Sequence, residues 1–595
     1  MFDTARKTIQ SLRTYMSPSG LNLDSTNAVN SQLKRQVVEP RYWRGQATEE
    51  WSARPAVTIR APRGLRVEPA ERPRKPVSRP KPYQLSAPTT TTEHLIQKSF
   101  EIVPGALTWI VIASIFILPM FAPWALATGV LLFCVYWLAR SVSSAIHSYI
   151  GVRKLGVWEG INWWEKYLEA DEMNKVQVPW EDVHHVIIIP NYKETEYKLR
   201  ETLSRLAEGE LARTHLTVVL AMEAAEKDCV DKAVYLQEDF RDSFANIFYT
   251  VHPQAIPDEV RGKSSNEAWA AIWIKEKLVD DLGYSLDNIT VTSCDADSLI
   301  HRNYFSCLTY MFTTDPLRHR KFWQAPIFLY NNIWSVPMPV RVVSILSGLN
   351  FLADLCKGHN IVFPQSTYTL SLKMADEVGY WDVDVIPEDW HMFLKCLFYY
   401  RGEVSTEPVF LPVYADAVQS TSYLRTLLVR YQQAKRHAWG AIDIPFAVRR
   451  AVNMRFFMNW RITRHLWALF ENHLVWSTHW FLLALGGSVP PLLASIYSPV
   501  LASSYLEDPF LSMMPSLMSL ILSLCLLPLV VMIALDIVVR PPNPKGFGFV
   551  LALSSVIQWF LLPVTSFIFS TLPALEAQTR MMKNNSLEYK VTDKV

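Results

Sequence analysis

A run of 38 residues without a charged side chain, positions 102–139, most restricts what this chain can fold into. One crossing of a bilayer needs about 20 apolar residues, so the run is long enough for two crossings. Pro119 and Pro123 lie near its middle, where proline interrupts a helix. The run therefore predicts a hairpin of two transmembrane helices, which we place at residues 98–150.

Three further stretches without charge lie late in the chain, at 472–506, 509–535 and 546–575. Each is long enough to span a bilayer, whereas helices of soluble proteins rarely run so far without charge. We expect about three transmembrane helices within residues 451–575. The pattern predicts an integral, multi-pass membrane protein.

The first 97 residues predict a disordered, basic, proline-rich tail. Residues 51–90 hold eight prolines and nine Arg or Lys but only two Glu, with too little apolar content for a core. The tail is either a solvated extension or a segment attracted to anionic lipid. Arg140, Arg153 and Lys154 close the hairpin on the same side as the tail, which predicts that residues 151–450 are cytosolic, at a plasma or inner membrane.

The side of the C-terminus is open. Two spans before the middle domain and three after it would place the tail at 576–595 outside. That tail carries Arg580, Lys583, Lys590 and Lys594, which favour the cytosol. A last span that is broken or re-entrant at Pro563 would reconcile the two expectations. The net charge of +2 gives no reason to expect a nucleic-acid partner.

The middle domain alternates short apolar runs with amphipathic segments. The runs at 184–190, 216–222, 246–251 and 288–294 are rich in β-branched residues and predict strands. Strands that alternate with helices indicate βαβ units and a parallel sheet. Ligands bind beyond the carboxyl ends of such strands, so motifs that directly follow the strands are candidates for the site.

Asp295 and Asp297 directly follow the fourth of these runs. Two adjacent carboxylates repel each other, and their burial is costly unless a cation offsets the charge. They either lie in water on a turn or hold a hard cation such as Mg²⁺ or Mn²⁺, whose shell is completed by phosphates and water. The metal alternative predicts a phosphate-bearing ligand.

Two further motifs each have a chemical and a structural interpretation. Glu388 and Asp389 precede a helix-like apolar run, where they stabilise the helix N-terminus or supply a general base. Gln433 and Arg436 are three residues apart and share a helix face. They either bind a diphosphate or sugar or belong to a basic collar at the membrane.

Smaller pieces complete the set. Pro190 and Glu194 follow the first strand, while Lys263 and Asn266 open a helix where an anion is favoured. The aromatic segment 321–334 is compatible with an amphipathic interfacial helix that ends at the following prolines.

These motifs together resemble the membrane-embedded family-2 glycosyltransferases, the group of cellulose, chitin and hyaluronan synthases. The resemblance is carried by P-x-x-x-E at 190–194, G-K-x-x-N at 262–266, D-x-D at 295–297, E-D at 388–389 and Q-x-x-R at 433–436. It implies an α/β, GT-A-like cytosolic domain, Rossmann-like with a mostly parallel sheet, inserted between transmembrane helices.

The resemblance also implies an activity: inverting, metal-dependent transfer of a hexose from a nucleotide-sugar donor, by expectation a UDP-sugar, to a growing polysaccharide at the membrane. Asp295 and Asp297 would hold Mg²⁺ or Mn²⁺, and Asp389, beside Glu388, would deprotonate the acceptor. The other residues would bind substrate, namely Pro190, Glu194, Glu223, Lys263, Asn266, Gln433, Arg436 and Trp439.

The sequence departs from the family at three places. The tryptophan of Q-x-x-R-W is His437 here, with Trp439 the nearest tryptophan; Pro387 stands before E-D; and a glycine-rich loop is replaced by residues 364–367. Two alternatives therefore stay open: transfer of a single sugar to a lipid-linked acceptor, or a non-catalytic component of a synthase or export complex.

Overall fold

The computed structural model describes residues 88 and 90–584, apart from 255, 257–258, 261, 359–360, 455–458 and 544–548. Most of the basic tail expected at 1–97 and the end of the tail at 576–595 lie outside the described residues.

In the part of the chain that the structure describes, ten strands form two sheets. The strands are β1 (His184–Asn191), β2 (Leu216–Glu223), β3 (Asn246–His252), β4 (Ile289–Ser293), β5 (Leu299–Ile300), β6 (Lys321–Gln324), β7 (Ile327–Phe328), β8 (Tyr368–Ser371), β9 (Ser405–Pro408) and β10 (Val413–Tyr414). The larger sheet has the order β3-β2-β1-β4-β8-β6-β9, and the smaller has the order β5-β10-β7.

The four strands that the sequence predicts lie side by side and parallel. Ile187 is in register with Val218 of β2 and Thr292 of β4, while β8 runs antiparallel to β4. Side chains along β1 alternate between two hydrophobic cores, Val186 and Ile188 in one and Ile187 in the other. Because helices cover both faces, β1, β2 and β4 are buried at nearly every position rather than at every second one. The prediction of an α/β fold with a mostly parallel sheet is confirmed.

The α-helices are α1 (Thr91–Ile117), α2 (Pro123–Trp158), α3 (Trp163–Glu172), α4 (Glu196–Ala207), α5 (Ala212–His215), α6 (Cys229–Asp239), α7 (Lys263–Lys275), α8 (Tyr304–Thr314), α9 (Met338–Cys356), α10 (Leu372–Val378), α11 (Glu388–Tyr399), α12 (Tyr423–Ala438), α13 (Asp443–Asn453), α14 (Trp460–Leu485), α15 (Val489–Tyr497), α16 (Pro499–Glu507), α17 (Pro509–Leu524), α18 (Leu526–Val539), α19 (Phe549–Ile557), α20 (Leu562–Ser566) and α21 (Leu572–Met582). A 3₁₀ turn, Trp439–Ile442, joins α12 to α13.

Among the described residues, five helical runs are long and apolar enough to cross a membrane: Thr91–Met120, Pro123–Trp158, Met338–Cys356, Pro509–Val539 and Leu553–Met582. The pair α14 and α15 meets the same criterion together but bends by 64° between its helices. The predicted hairpin and the three late stretches all fall on these helices, in agreement with a membrane protein.

The structure differs from the sequence interpretation at three places. The segment 321–334 is not an interfacial helix: it contains β6 and β7, with Phe322 and Trp323 buried on opposite faces of the sheet. The apolar helix of this region is α9, which the sequence analysis overlooked because Arg341 interrupts its hydrophobic pattern. The sharp bend lies between α14 and α15, while Leu553–Met582 runs through Pro563 as one helical span.

Close packing of α1 against α21 depends on Gly105. A Cβ atom at this position would lie 2.8 Å from the backbone oxygen of Gln578 and 3.2 Å from Cβ of Met582. Next to it, Thr108 Oγ1 donates to Gln578 Oε1 at 2.7 Å. The two helices therefore approach to a distance that leaves no room for a methyl group.

Gly105→Ala is expected to destabilise the protein by about 1–3 kcal/mol, because a backbone atom must shift to admit the methyl group. Gly129→Ala, on α2, is the matched control, since no atom lies within 4 Å of a Cβ built there. Thermal unfolding of both variants in the same detergent checks the prediction. Equal melting temperatures for the two variants would show that the helices separate without cost.

Candidate active site

A cleft of about 1740 Å³ lies at the carboxyl ends of the parallel strands. Its wall includes all the predicted site residues except Trp439, namely Pro190, Glu194, Glu223, Lys263, Asn266, Asp295, Asp297, Glu388, Asp389, Gln433 and Arg436. These residues come from segments up to 246 positions apart, and the crossing order of the sheet brings them together. The cleft is therefore the candidate active site.

The acidic pair after β4 has one exposed and one buried member. The Asp295 side chain is 32% exposed, whereas the whole of Asp297 is only 3% exposed. The backbone N–H of Asp416 donates to Asp297 Oδ2 at 3.0 Å, and the N–H of Asp295 donates to Thr367 Oγ1 at 3.3 Å. These bonds fix the turn, so that the carboxylate of Asp295 faces the cleft.

Lys263 lies at the centre of four carboxylates. Its Nζ is 2.9 Å from Asp295 Oδ1, 3.1 Å from Glu388 Oε1, 3.6 Å from Asp389 Oδ1 and 3.7 Å from Glu267 Oε1. Burial alone would lower the pKa of Lys263, but the carboxylates, Asp295 foremost, raise it well above its usual value. The lysine thus joins the D-x-D and E-D motifs through charge.

Asp389 lies in the first turn of α11, after Pro387, and it does not cap the helix with a hydrogen bond. Its Oδ2 accepts from the backbone N–H of Ser366 at 2.7 Å. Burial, opposed by the charge of Lys263, raises the pKa of Asp389 to about 7. A carboxyl group with this pKa, on a cleft wall, has the chemistry of a general base near neutral pH.

Gln433 and Arg436 lie on one face of α12, as the spacing predicts, and Gln433 Oε1 accepts from Arg430 Nη1 at 2.7 Å. Trp439 is placed differently. It is 8% exposed and belongs to a hydrophobic core, because the chain enters a 3₁₀ turn directly after α12. Trp439 does not line the cleft, so its position gives no support for the predicted role in substrate binding.

Residues at the ends of β1 and β2 line a further part of the cleft, and Glu223 of β2 continues into a buried chain of charged groups that starts at the end of β3. Glu223 Oε2 lies 3.3 Å from Nδ1 of His252, whose Nε2 lies 3.0 Å from Oε2 of Glu259. Burial would lower the pKa of His252, but the two glutamates raise it to about 9. Asn266 Nδ2 donates to the backbone oxygen of Ala221 at 2.8 Å, which anchors α7 to β2.

Sequence reasoning missed several polar residues on the wall of the cleft, and two of them, Asp416 and Ser366, contact the predicted site residues Asp297 and Asp389. Asp416 accepts from Lys198 Nζ and from Asn331 Nδ2, both at 3.0 Å. It comes two residues after β10, so it follows a short strand as Asp295 and Asp297 do. Ser366 lies in the loop at 364–367. Its contacts with Asp389 and Asp295 are formed only in the folded protein, so no signal for them is present in the sequence.

A buried network of charges lies behind the site. His391 Nδ1 is 2.7 Å from Asp443 Oδ1, and its Nε2 is 3.0 Å from Asp382 Oδ2. Lys395 Nζ donates to Asp382 Oδ1 at 2.6 Å. Burial would lower the pKa of His391, but Asp443 and Asp382 raise it to about 9. The network joins α11, which carries Asp389, to α13 and to the loop before α11.

The fit to a divalent cation depends on the acidic pair. Among the described residues, no group of three or more His, Cys, Asp or Glu side chains is arranged to hold a metal ion. Mg²⁺ is usually bound through one or two carboxylates together with substrate phosphates and water, and Mn²⁺ accepts the same oxygen ligands. Asp295 and Asp297 fit such a cation when a diphosphate completes its shell.

Residues 290–570, just under half of the chain, match a family model described as "Glycosyl transferase family group 2". The match begins in β4, directly before the D-x-D motif, and extends through the E-D and Q-x-x-R motifs into the apolar helices. The chain matches no curated protein.

Several solved structures are distantly similar. One is the mannosyltransferase PcManGT from Pyrobaculum calidifontis in complex with GDP-Man and Mn²⁺, at 13% identity and a TM-score of 0.36, over 67% of this chain and 99% of that one. A second is TarS from S. aureus, at 13% identity and a TM-score of 0.26, over 56% of this chain and 55% of that one. A third is GalNAc-T7 with UDP, GalNAc and Mn²⁺, at 11% identity and a TM-score of 0.25, over 53% of this chain and 58% of that one.

The family match covers the part of the chain that supplies the D-x-D, E-D and Q-x-x-R residues of the cleft. By this match, the protein is a glycosyltransferase whose residues 290–570 are similar to family group 2.

Proposed function

We propose that the protein is an inverting, metal-dependent glycosyltransferase that moves a sugar from a nucleotide-sugar donor, expected to be a UDP-sugar, to a growing polysaccharide at the membrane. The observation that carries the proposal is the convergence of the D-x-D, E-D, G-K-x-x-N and Q-x-x-R residues on one cleft. The α/β domain would be GT-A-like and cytosolic, in an integral, multi-pass protein of a plasma or inner membrane.

Donor binding would use the charged half of the cleft. Glu194 and Glu223 would line the nucleotide pocket, and Lys263 would move from its carboxylate partners towards the diphosphate. A Mg²⁺ or Mn²⁺ ion held by Asp295 and Asp297 would neutralise the charge that develops on the leaving diphosphate. The proposal is supported by the position of Lys263, 2.9 Å from one of these carboxylates.

Sugar transfer requires that the acceptor hydroxyl lose a proton as its oxygen attacks the anomeric carbon. Asp389 would take that proton while the bond between the anomeric carbon and the diphosphate oxygen breaks. Attack from the face opposite the leaving group inverts the anomeric configuration. Gln433 and Arg436 would bind the acceptor and the diphosphate, Arg436 through its two-pronged guanidinium group.

The acceptor is expected at the end of the cleft that lies among the apolar helices. There the wall includes Trp137 of α2 and Trp476 and Trp480 of α14, together with Ser141 and Asn472. Aromatic faces interspersed with polar groups suit a sugar chain. This composition supports a polysaccharide as the acceptor.

A second candidate is transfer of one sugar to a lipid-linked acceptor. An aliphatic strip of the same wall favours it, formed by Leu522, Leu526, Leu529 and Met532 of α17 and α18. Such a strip suits a hydrocarbon chain. The two candidates differ in the length of the product, which is either a polymer or a single added sugar.

The test is release of nucleoside diphosphate by the full-length protein in lipid, with a panel of UDP- and GDP-sugars and Mg²⁺ or Mn²⁺. We expect turnover with one donor, loss of turnover when EDTA removes the metal, and a product that lengthens with time. A product that stops at one added sugar supports the lipid-linked acceptor. No turnover with any donor, with glycan and polyprenyl phosphate acceptors supplied, would overturn the proposal in favour of a non-catalytic component.

A further inference from the structure

Ser366 contacts three separate residues of the cleft with its three polar groups. Its backbone N–H donates to Asp389 Oδ2 at 2.7 Å, and its Oγ donates to Asp295 Oδ2 at 2.5 Å. Its backbone oxygen accepts from Lys263 Nζ at 2.9 Å. One residue therefore contacts the proposed base, a proposed metal ligand and the lysine between them.

The backbone of Ser366 is held in a conformation that serine rarely adopts. Its φ is +55°, in the left-handed region, which costs a residue with a Cβ about 1–2 kcal/mol. Neighbouring bonds fix the loop: Gln365 N–H donates to Gln324 Oε1 at 2.8 Å, and Thr367 Oγ1 lies 2.8 Å from Ser298 Oγ. Strain of this kind persists where the surroundings over-determine the conformation, as they do here.

The hydroxyl of Ser366 determines how Asp295 presents its two oxygens. Ser366 Oγ occupies Oδ2, and Lys263 Nζ occupies Oδ1 at 2.9 Å. A hydrogen bond to Oδ2 orients the carboxylate plane, so that Oδ1 would be the oxygen that an incoming cation meets once Lys263 has moved towards the diphosphate. Groups that orient a metal ligand in this way raise metal affinity about 10–100-fold.

We propose that Ser366 is a positioning residue that holds Asp295 ready for a divalent cation and, through its backbone N–H, keeps Asp389 in place on the acceptor side. The inference deepens the proposed function and rests on it, because both partners act through that chemistry.

The test uses Ser366→Ala and Ser366→Gly in the full-length protein in lipid. Both variants lose the hydroxyl and keep the backbone groups, but only the glycine variant also relieves the strain at φ +55°. Ser335→Ala is the matched control, because Ser335 is exposed, its hydroxyl donates only to Asn332 and Gln419, and none of these three residues lines the cleft. Mn²⁺ binding is measured by electron paramagnetic resonance in the presence of UDP or GDP, without turnover.

We expect both Ser366 variants to bind Mn²⁺ about 10–100-fold more weakly than the wild type, and Ser335→Ala to bind it unchanged. The glycine variant should keep the wild-type melting temperature, which separates positioning from folding. Unchanged Mn²⁺ affinity in both Ser366 variants would overturn the inference, as would a wild type that binds no Mn²⁺. The proposed function is judged separately, by release of nucleoside diphosphate from the wild type.

Discussion

Asp389→Asn is expected to lower the turnover number of sugar transfer by about 10²–10⁴-fold, the usual contribution of a general base. The asparagine oxygen can still accept the hydrogen bond from the Ser366 N–H, so the fold of the cleft is retained. What is lost is the ability to take a proton from the acceptor hydroxyl. The measurement is steady-state release of nucleoside diphosphate with the donor identified in the panel, beside calorimetric binding of that donor.

Donor binding should change by no more than a few fold in this variant, because Asp389 acts on the acceptor side. Asp242→Asn makes the same chemical change at a side chain that is 89% exposed, and it should leave turnover and donor binding unchanged. Glu388→Gln separates base chemistry from charge, since Glu388 Oε1 is also close to Lys263, at 3.1 Å. Equal losses in Glu388→Gln and Asp389→Asn would assign the effect to the charge of the cluster and remove Asp389 from the role of base.

Asp382→Asn is expected to destabilise the protein by about 3–5 kcal/mol, the cost of leaving a buried charge without its partner. The side chain of Asp382 is 9% exposed, and it accepts from both His391 and Lys395. Although burial alone would raise the pKa of Asp382, Lys395 and His391 lower it well below its usual range, so the carboxylate is ionised. Without the charge of Asp382, Lys395 loses its carboxylate partner and His391 keeps only that of Asp443. Urea denaturation followed by tryptophan fluorescence gives the free energy of unfolding.

The matched control is Glu238→Ala, which removes a partner of Arg241 in an ion pair whose side chains are both 66% exposed. Exposed pairs contribute about 0–1 kcal/mol, so this variant should be close to the wild type. The loss of unfolding free energy in Asp382→Asn, relative to the wild type, should become smaller as the pH rises through about 9, the pKa at which His391 loses its proton. If Asp382→Asn loses no more unfolding free energy than Glu238→Ala at neutral pH, water reaches the buried network and screens its charges.

The local sequence pattern was sufficient to predict the parallel strands and most of the apolar helices. Runs such as 186–190 are apolar at every position, which only a strand covered on both faces, or a buried helix, allows. Their short length and the amphipathic segments between them favour strands. The segment 321–334 was misjudged because its aromatics have no clear period, and β6 and β7 contain only four and two residues. Short strands are defined by their partners across the sheet rather than by their own sequence.

Most of the candidate site was also predictable, because its residues follow strands or open helices. Trp439 is the exception: its side chain enters a core through the turn after α12, and one turn of chain is enough to move a tryptophan from a cleft to a core. Ser366 was not predictable, since its role depends on a left-handed backbone that gives serine three partners at once.

The sequence by itself determined the apolar helices, the parallel strands and the chemical identity of the acidic pair, the base candidate and the basic residues, because each depends on composition and spacing within a few turns of chain. Only the tertiary structure decided that Lys263 lies among four carboxylates, that Ser366 joins Asp295 to Asp389, and that His391 closes a buried network behind them. These contacts join residues up to 126 positions apart. Their geometry follows from how strands and helices pack, which no local pattern encodes.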